Sequence, residues 1–595
     1  MLSVPKPRTR KLTIIAQDPG IKLKGKVVTA EIEIPAEEIA PGPRGYRVHV
    51  IDYDSSTGTL YLPLDYEPLK DGVYPDPFKK LVDRNDTGAM LSDPRFHAQN
   101  VYAIVMRTLA RFELALGRRV GWGFPGHQLN VAPHAFADAN AFYSDRDRAL
   151  MFGYFLGRGS AKDGNVVYSC LSHDVVAHET THALLDGLRE RYTDPSSPEQ
   201  AGFHEGFADV VALLSVFSLQ PMVGMLLDFR TRNNSGRHKD PLLVDPRDLT
   251  LDKLRKSVLL GLAEQMGKEM SGVRGNRGDA LRRSVNLKPL GTHDPPDKYA
   301  RLEEFQEPHR RGEVLVAAIM NAFLQVWLSR IEKIKRGKAA GSLLDRQLVV
   351  EEASNAADHL LTMCIRAIDY APPIDLQFSD FLSAVITADR ELVPDDTKYG
   401  YRKILLESFK RYGIEPPSTA DADGAWQMVD NSTLLYERTH FEAMLHDPDE
   451  VFRFLWENRE ALKLHEEAYT EVQSVRPCIR VGPDGFILRE TVAEYIQMIT
   501  LQAKELEMLN INIPDDMPWY QEVRLYGGGA LIFDEYGRLK FHARNRIENP
   551  ARQTPRLKYL WEYGFFDNGS YSENIFARLH LQRATNLSTR VTEEF

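Results

Sequence analysis

Five consecutive residues, His178-Glu179-Thr180-Thr181-His182, constrain this chain more than any other feature. They match H-E-x-x-H, a pattern that has a use only on a helix. Four residues apart, the two histidines share one helical face and can grip one metal ion. Glu179 is spaced to act as a proton-transferring base on a water held by that ion. Val175, Val176, Ala183 and Leu184 supply the apolar stripe that a helix here needs. A second apolar-periodic stretch follows Phe203 and reads as another helix. It offers Glu205 as a third ligand. Asp209 lies four residues further, on the same face. A ligating imidazole usually gives its other N–H to a carboxylate, and Asp209 is placed to receive it from His178. The expected cofactor is one catalytic Zn2+ with His178, His182 and Glu205 as ligands and a fourth position open.

H-E-x-x-H followed some twenty residues later by E-x-x-x-D resembles the glutamate-zincin peptidases, specifically the thermolysin family. The string from Asp174 to Ala183 is close to that family's zinc helix. Other blocks agree in order. Asn140-Ala141-Phe142-Tyr143 and Met151-Phe152-Gly153-Tyr154 resemble its substrate-binding edge strand. Asp279-Ala280-Leu281-Arg282 and Asp294 to Tyr299 resemble its arginine segment and the loop after it. Pro308-His309-Arg310-Arg311-Gly312 resembles the segment holding its second catalytic histidine, and Phe378 to Ile414 its closing helices. The resemblance spans roughly residues 85 to 415.

The resemblance implies site residues beyond the motif. His309 would donate to the developing oxyanion, with Glu304 or Glu307 orienting it. Tyr192 is the best-placed tyrosine for a second donor, one residue short of the family's offset from Glu179. An extended peptide would pair with the edge strand at Ala141, with the Asn140 side chain taking a polar group. Arg282, or Arg283 beside it, would hold the substrate carbonyl. Val175 and Leu281 would line an apolar pocket favouring a bulky apolar residue after the cut; ordinary core packing is the competing reading. The sequence departs from the family at two places. His204 replaces an asparagine beside the third ligand. Asp174 matches a calcium-binding aspartate, but Val216 stands where the bridging glutamate is expected, which argues against a double calcium site. Asp174 then serves to cap the zinc helix.

The remaining composition limits the class. With 74 basic against 84 acidic residues the net charge is −10, which argues against nonspecific nucleic-acid binding. No apolar run approaches ~18 residues, so no membrane span is expected. The basic start, from Met1 to Ile15, lacks a continuous apolar stretch and does not read as a secretory signal. The family is typically secreted with a propeptide; the expectation here is a cytoplasmic relative, or one exported by a route the sequence does not show. Cys170, Cys364 and Cys478 are far apart and odd in number, so buried free thiols are expected.

Along the chain, residues 1–80 read as a β module and 70–92 as a linker rich in Pro, Gly and Asp. Residues 85–230 form the expected first lobe with the zinc helix, and 231–415 a helical second lobe. Pro416 to Gly424 reads as a boundary. Residues 425–595 read as an α+β domain of unassigned role, with charged helical segments from Asp449 to Gln473, then alternating strands and a hairpin turn at Tyr536-Gly537. The expected fold is α+β: a thermolysin-like two-lobed catalytic unit, mixed β/α and α-helical, with an N-terminal β module and a C-terminal α+β extension. The expected function is a zinc endopeptidase acting on a peptide or protein substrate. The C-terminal domain is a candidate for target recognition or regulation. The alternatives are a selective processing peptidase or exopeptidase, and a zinc-stabilised scaffold without turnover.

Overall fold

The computed structural model describes residues 7–23, 25–84, 86–157, 166–194, 196–233, 240–256, 284–339 and 341–566. The fold is mixed α+β, with several sheets and long buried helices. The sheet nearest the H-E-x-x-H helix runs Val166–Tyr168, Ala149–Leu156, Leu129–Phe136, Val48–Val50. Two of its pairings, Ala149–Leu156 with Leu129–Phe136 and that strand with Val48–Val50, are parallel. Ala141–Ser144 pairs antiparallel with Ala149–Phe152. Val48–Val50, from the first eighty residues, belongs to this sheet. Thr9–Ile15 and Thr29–Pro35 form an antiparallel pair. It is tied to the helix Pro94–Leu116, where the Asn100 Oδ1 accepts from Ile15 N and the Gln99 amide donates to Thr13 O. The stretch expected as a linker carries two short helices, Lys79–Asp83 and Thr87–Leu91. Asp86 caps the second, which the local Pro and Gly content obscured.

Three buried helices carry the centre of the molecule. The motif helix spans His173–Leu188. The next, Pro198–Phe217, opens with Ser197 accepting from Gln200 N and Pro198 in its first turn, a standard start signal. The longest, Pro308–Lys335, opens on Glu307, whose carboxylate accepts from His309 N and Arg310 N. It ends at Lys335. Among the described residues it is the one unbroken helix long and apolar enough to cross a membrane, although no such length was read from the sequence; 83% of its apolar window is buried inside the protein.

Two of these helices touch backbone to backbone. A Cβ on Gly206 would lie 2.8 Å from Gly312 O, and one on Gly312 would lie 2.8 Å from Gly206 N and from Gly202 O. No side chain fits there. Three glycines thus let Pro198–Phe217 and Pro308–Lys335 close up, and the same approach brings Glu205 and His309 together.

The C-terminal part is a four-stranded antiparallel sheet, Tyr469–Val481, Ile487–Gln502, Glu522–Phe533 and Leu539–Asn545. The helix expected to run through Gln473 ends at Glu457, and the strand begins at Tyr469. Asn458 ends that helix by bonding its side chain to Leu435 N, Leu435 O and Phe454 O. Buried ion pairs weld this sheet to the rest. Asp369 takes both Arg118 nitrogens at 2.5 and 2.6 Å and also pairs with Arg480. Arg480 reaches Glu490 at 2.5 Å, and Glu490 accepts from the Tyr370 hydroxyl at 2.5 Å. Arg189, the residue that ends the motif helix, is fully buried and pairs with Glu494 of the sheet.

Candidate metal centre

His178, His182 and Glu205 converge. Their ligand atoms all lie within 4.8 Å of one another, and all three residues are buried. The two histidine Nε2 atoms are 3.0 Å apart. Glu205 Oε2 is 3.6 Å from His178 Nε2, and Glu205 Oε1 is 3.7 Å from His182 Nε2. Donors at 2.0–2.1 Å around a tetrahedral ion stand about 3.3 Å apart, so these three edges bracket the required size. The set could hold a metal ion, and its composition of two imidazoles and one carboxylate suits a first-row divalent metal.

The outer nitrogens of both imidazoles are engaged. Asp209 Oδ1 lies 2.8 Å from His178 Nδ1. His204 Nδ1 lies 2.7 Å from His182 Nδ1, with the two rings nearly parallel. Burial, acting against the Glu205 charge, lowers His204 to about 4. It is therefore neutral near pH 7 and can accept the His182 Nδ1–H. His204 thus performs the orienting task that an amide or carboxylate oxygen would perform. Both Nε2 atoms are left facing Glu205.

His309 completes the cluster. Its Nε2 is 3.2 Å from Glu205 Oε2, and its Nδ1 is 2.5 Å from Glu307 Oε1. The two candidate orienting carboxylates separate clearly. Glu307 holds the ring and caps the helix, while Glu304 is exposed and sits 3.5 Å from Arg310.

Glu179 accepts the Tyr143 backbone N–H at 3.1 Å. Tyr143 belongs to the edge strand Ala141–Ser144, and its hydroxyl donates to Asp186 at 2.8 Å. Glu179 and Asp186 are two turns apart on the motif helix, so one residue staples strand to helix at both ends. Burial raises Asp186 to about 7, against the opposing Tyr143 hydrogen bond; Asp145 and Glu190 add to the rise. Neither Tyr143 nor Asp186 was singled out as functional from sequence. Asp186 carried a usable signal, standing four residues after His182 and seven after Glu179 on one face.

Other expected residues fall in different places. The Tyr192 hydroxyl is buried and donates to Pro372 O at 2.8 Å, so its hydrogen is not offered to the cluster. The Asn140 Oδ1 accepts from its neighbour Ala141 N at 3.0 Å, turned onto its own backbone rather than outward. Ala141 sits beside Phe152 in the strand pair. Val175 is half-buried and packs against the main core. Leu281, Arg282 and Arg283 lie outside the described residues. Asp174 is buried in the first turn, but the capping position belongs to Ser172, whose hydroxyl donates to Asp18 at 2.9 Å. Val216 is core. All three cysteines are free and buried. A scan against protein-family models and a search of curated proteins both return no match for this chain.

Proposed function

We propose that the protein is a zinc-dependent endopeptidase with a thermolysin-like two-lobed catalytic unit, the cluster lying between its lobes. The observation that carries this reading is Glu179. It stands between the two histidine ligands in sequence and is anchored to an edge strand by Tyr143 N–H. A purely structural metal site has no need of a carboxylate so held.

Bound zinc supplies Lewis acidity, which acidifies water toward neutral pH and polarises a carbonyl. Glu179 takes a proton from the attacking water and passes it to the leaving amine. The Tyr143 N–H fixes one Glu179 oxygen, leaving the carboxylate in one orientation for both transfers. His309, held by Glu307, donates toward the carbonyl oxygen as negative charge develops there; a donor of this kind typically contributes about 3–4 kcal/mol. Substrate enters as an extended strand beside Ala141–Ser144, where strand addition supplies backbone hydrogen bonds. Phe136 and Phe142, stacked at 5.6 Å, place aromatic surface beside that strand. The expected preference is an apolar residue after the cut.

The test is unbiased cleavage profiling on a peptide library, with metal content measured on the same sample. Internal cleavage that stops on chelation and returns with zinc supports the reading. A metal-loaded, folded protein that cleaves no peptide favours the scaffold alternative.

A further inference from the structure

A second cluster of metal-ligating side chains lies outside the centre described above. His97, His134 and Cys170 bring one ligand atom each within 4.8 Å of one another, and all three are buried. They come from three elements: the helix Pro94–Leu116, the central strand Leu129–Phe136, and the short turn Ser169–Leu171 that leads into the motif helix.

The proton count at this cluster is informative. His97 Nε2 lies 2.7 Å from the Leu91 carbonyl oxygen, which can only accept, so that nitrogen carries a hydrogen. His134 Nδ1 lies 2.9 Å from both oxygens of Asp52. Beside a carboxylate that nitrogen also carries a hydrogen. His97 Nδ1 and His134 Nε2 then face each other at 2.7 Å. With both rings neutral, two lone pairs would meet at that distance. A proton or a metal ion between them would relieve this contact.

The surroundings favour the metal. Each histidine has its outer nitrogen fixed by a carboxylate or a backbone carbonyl, as ligating histidines almost always do. A shared proton would need no third donor, yet the Cys170 Sγ lies within 4.8 Å of a ring nitrogen of each histidine. Its backbone is held in place, since Cys170 O accepts from the Asn100 amide at 2.9 Å. Tyr61 and Tyr168 pack on His134 with ring centroids at 4.9 and 5.2 Å, and Tyr168 also packs on His97 at 4.7 Å. These rings pack against both histidines.

We propose that His97, His134 and Cys170 form a second metal site, for a thiophilic ion of the Zn2+ or Cu+ class. Thiolate with imidazole is the donor set these ions prefer. Binding would deprotonate the thiol and open the nitrogen–nitrogen contact to about 3.3 Å. The role is structural. The ion would clamp sheet, helix and turn two residues before Ser172, where the motif helix begins, and so set that helix's starting point.

The experiment is metal analysis together with cobalt reconstitution of the full chain. The catalytic set contains no sulfur, so a cobalt–thiolate charge-transfer absorption reports the second site alone. The expected result is two metal equivalents per chain and a thiolate band that persists in His178→Ala and vanishes in Cys170→Ser. Elemental analysis of the protein as purified separates zinc from copper. Circular dichroism checks that Cys170→Ser is folded; if it is not, the wild-type band and stoichiometry decide. One equivalent with no thiolate band would overturn the proposal and leave a shared proton between the histidines. Because the band does not depend on His178, its absence would leave the peptidase reading standing.

Discussion

Asp186 shows how much a single side chain can carry without touching the metal ligands. Its folded value is raised to about 7, against an ordinary value of ~3.9. A raised acid favours the folded state while protonated. Its contribution is full below about pH 4 and is lost as pH rises through 7; a shift of this size is worth at most about 4 kcal/mol. Asp186→Asn keeps an acceptor for the Tyr143 hydroxyl and removes the buried charge. It should raise the melting temperature at pH 8 and leave it nearly unchanged at pH 4, as measured by thermal unfolding at both values. Equal effects at the two pH values would contradict this assignment. The possible metal-holding group His178, His182 and Glu205 was legible because its chemistry fixes its spacing along helices. The Glu304 or Glu307 choice was not, since both lie within reach of His309 in sequence. Only the helix start decides it, because the residue that caps Pro308–Lys335 is held beside the ring. The acceptor that the Tyr192 hydroxyl meets, Pro372 O, is not something an offset in sequence reveals.

Between elements, the glycine contact of Gly202 and Gly206 with Gly312 sets the distance from Glu205 to His309. Gly206→Ala puts a methyl group 2.8 Å from a backbone oxygen that cannot swing aside. It should cost about 1–3 kcal/mol of stability as an overpacked core does. It should also weaken metal binding, because the carboxylate ligand moves with its helix. Denaturant unfolding and a metal-competition titration check both effects; a neutral result would show that the helices separate without disturbing the centre. The long helices were readable from apolar periodicity, and Pro94–Leu116 begins at its Asp93 cap with Pro94 behind it. The run from Thr59 to Asp65 reads as a strand, but only Thr59–Leu60 pairs, with Tyr53–Asp54. The segment around Tyr469 carries charge on a strand whose neighbours supply the burial, and charge alone read as helix.

Across the whole molecule, buried ion pairs hold the C-terminal sheet to the rest of the protein. Burial raises the Asp369 carboxyl, but Arg118 and Arg480 outweigh it and hold the group below the ordinary range. A depressed carboxyl stabilises the fold above its unfolded value of ~3.9 and loses that contribution as pH falls below it. Asp369→Asn strands two buried guanidinium groups and should cost about 3–5 kcal/mol. Its unfolding free energy should also be flatter than wild type's below pH 4. A variant with wild-type stability would show that the pairs are dispensable. None of this network was legible, because Arg118, Asp369 and Arg480 lie more than a hundred residues apart and only tertiary packing brings them together. The central claim is that residues from separate elements meet in one hydrolytic centre, and Glu179→Gln tests it most directly. Measured on one preparation, this variant should keep wild-type metal content and lose peptide hydrolysis by at least about a hundredfold. Undiminished turnover with metal retained would contradict the account.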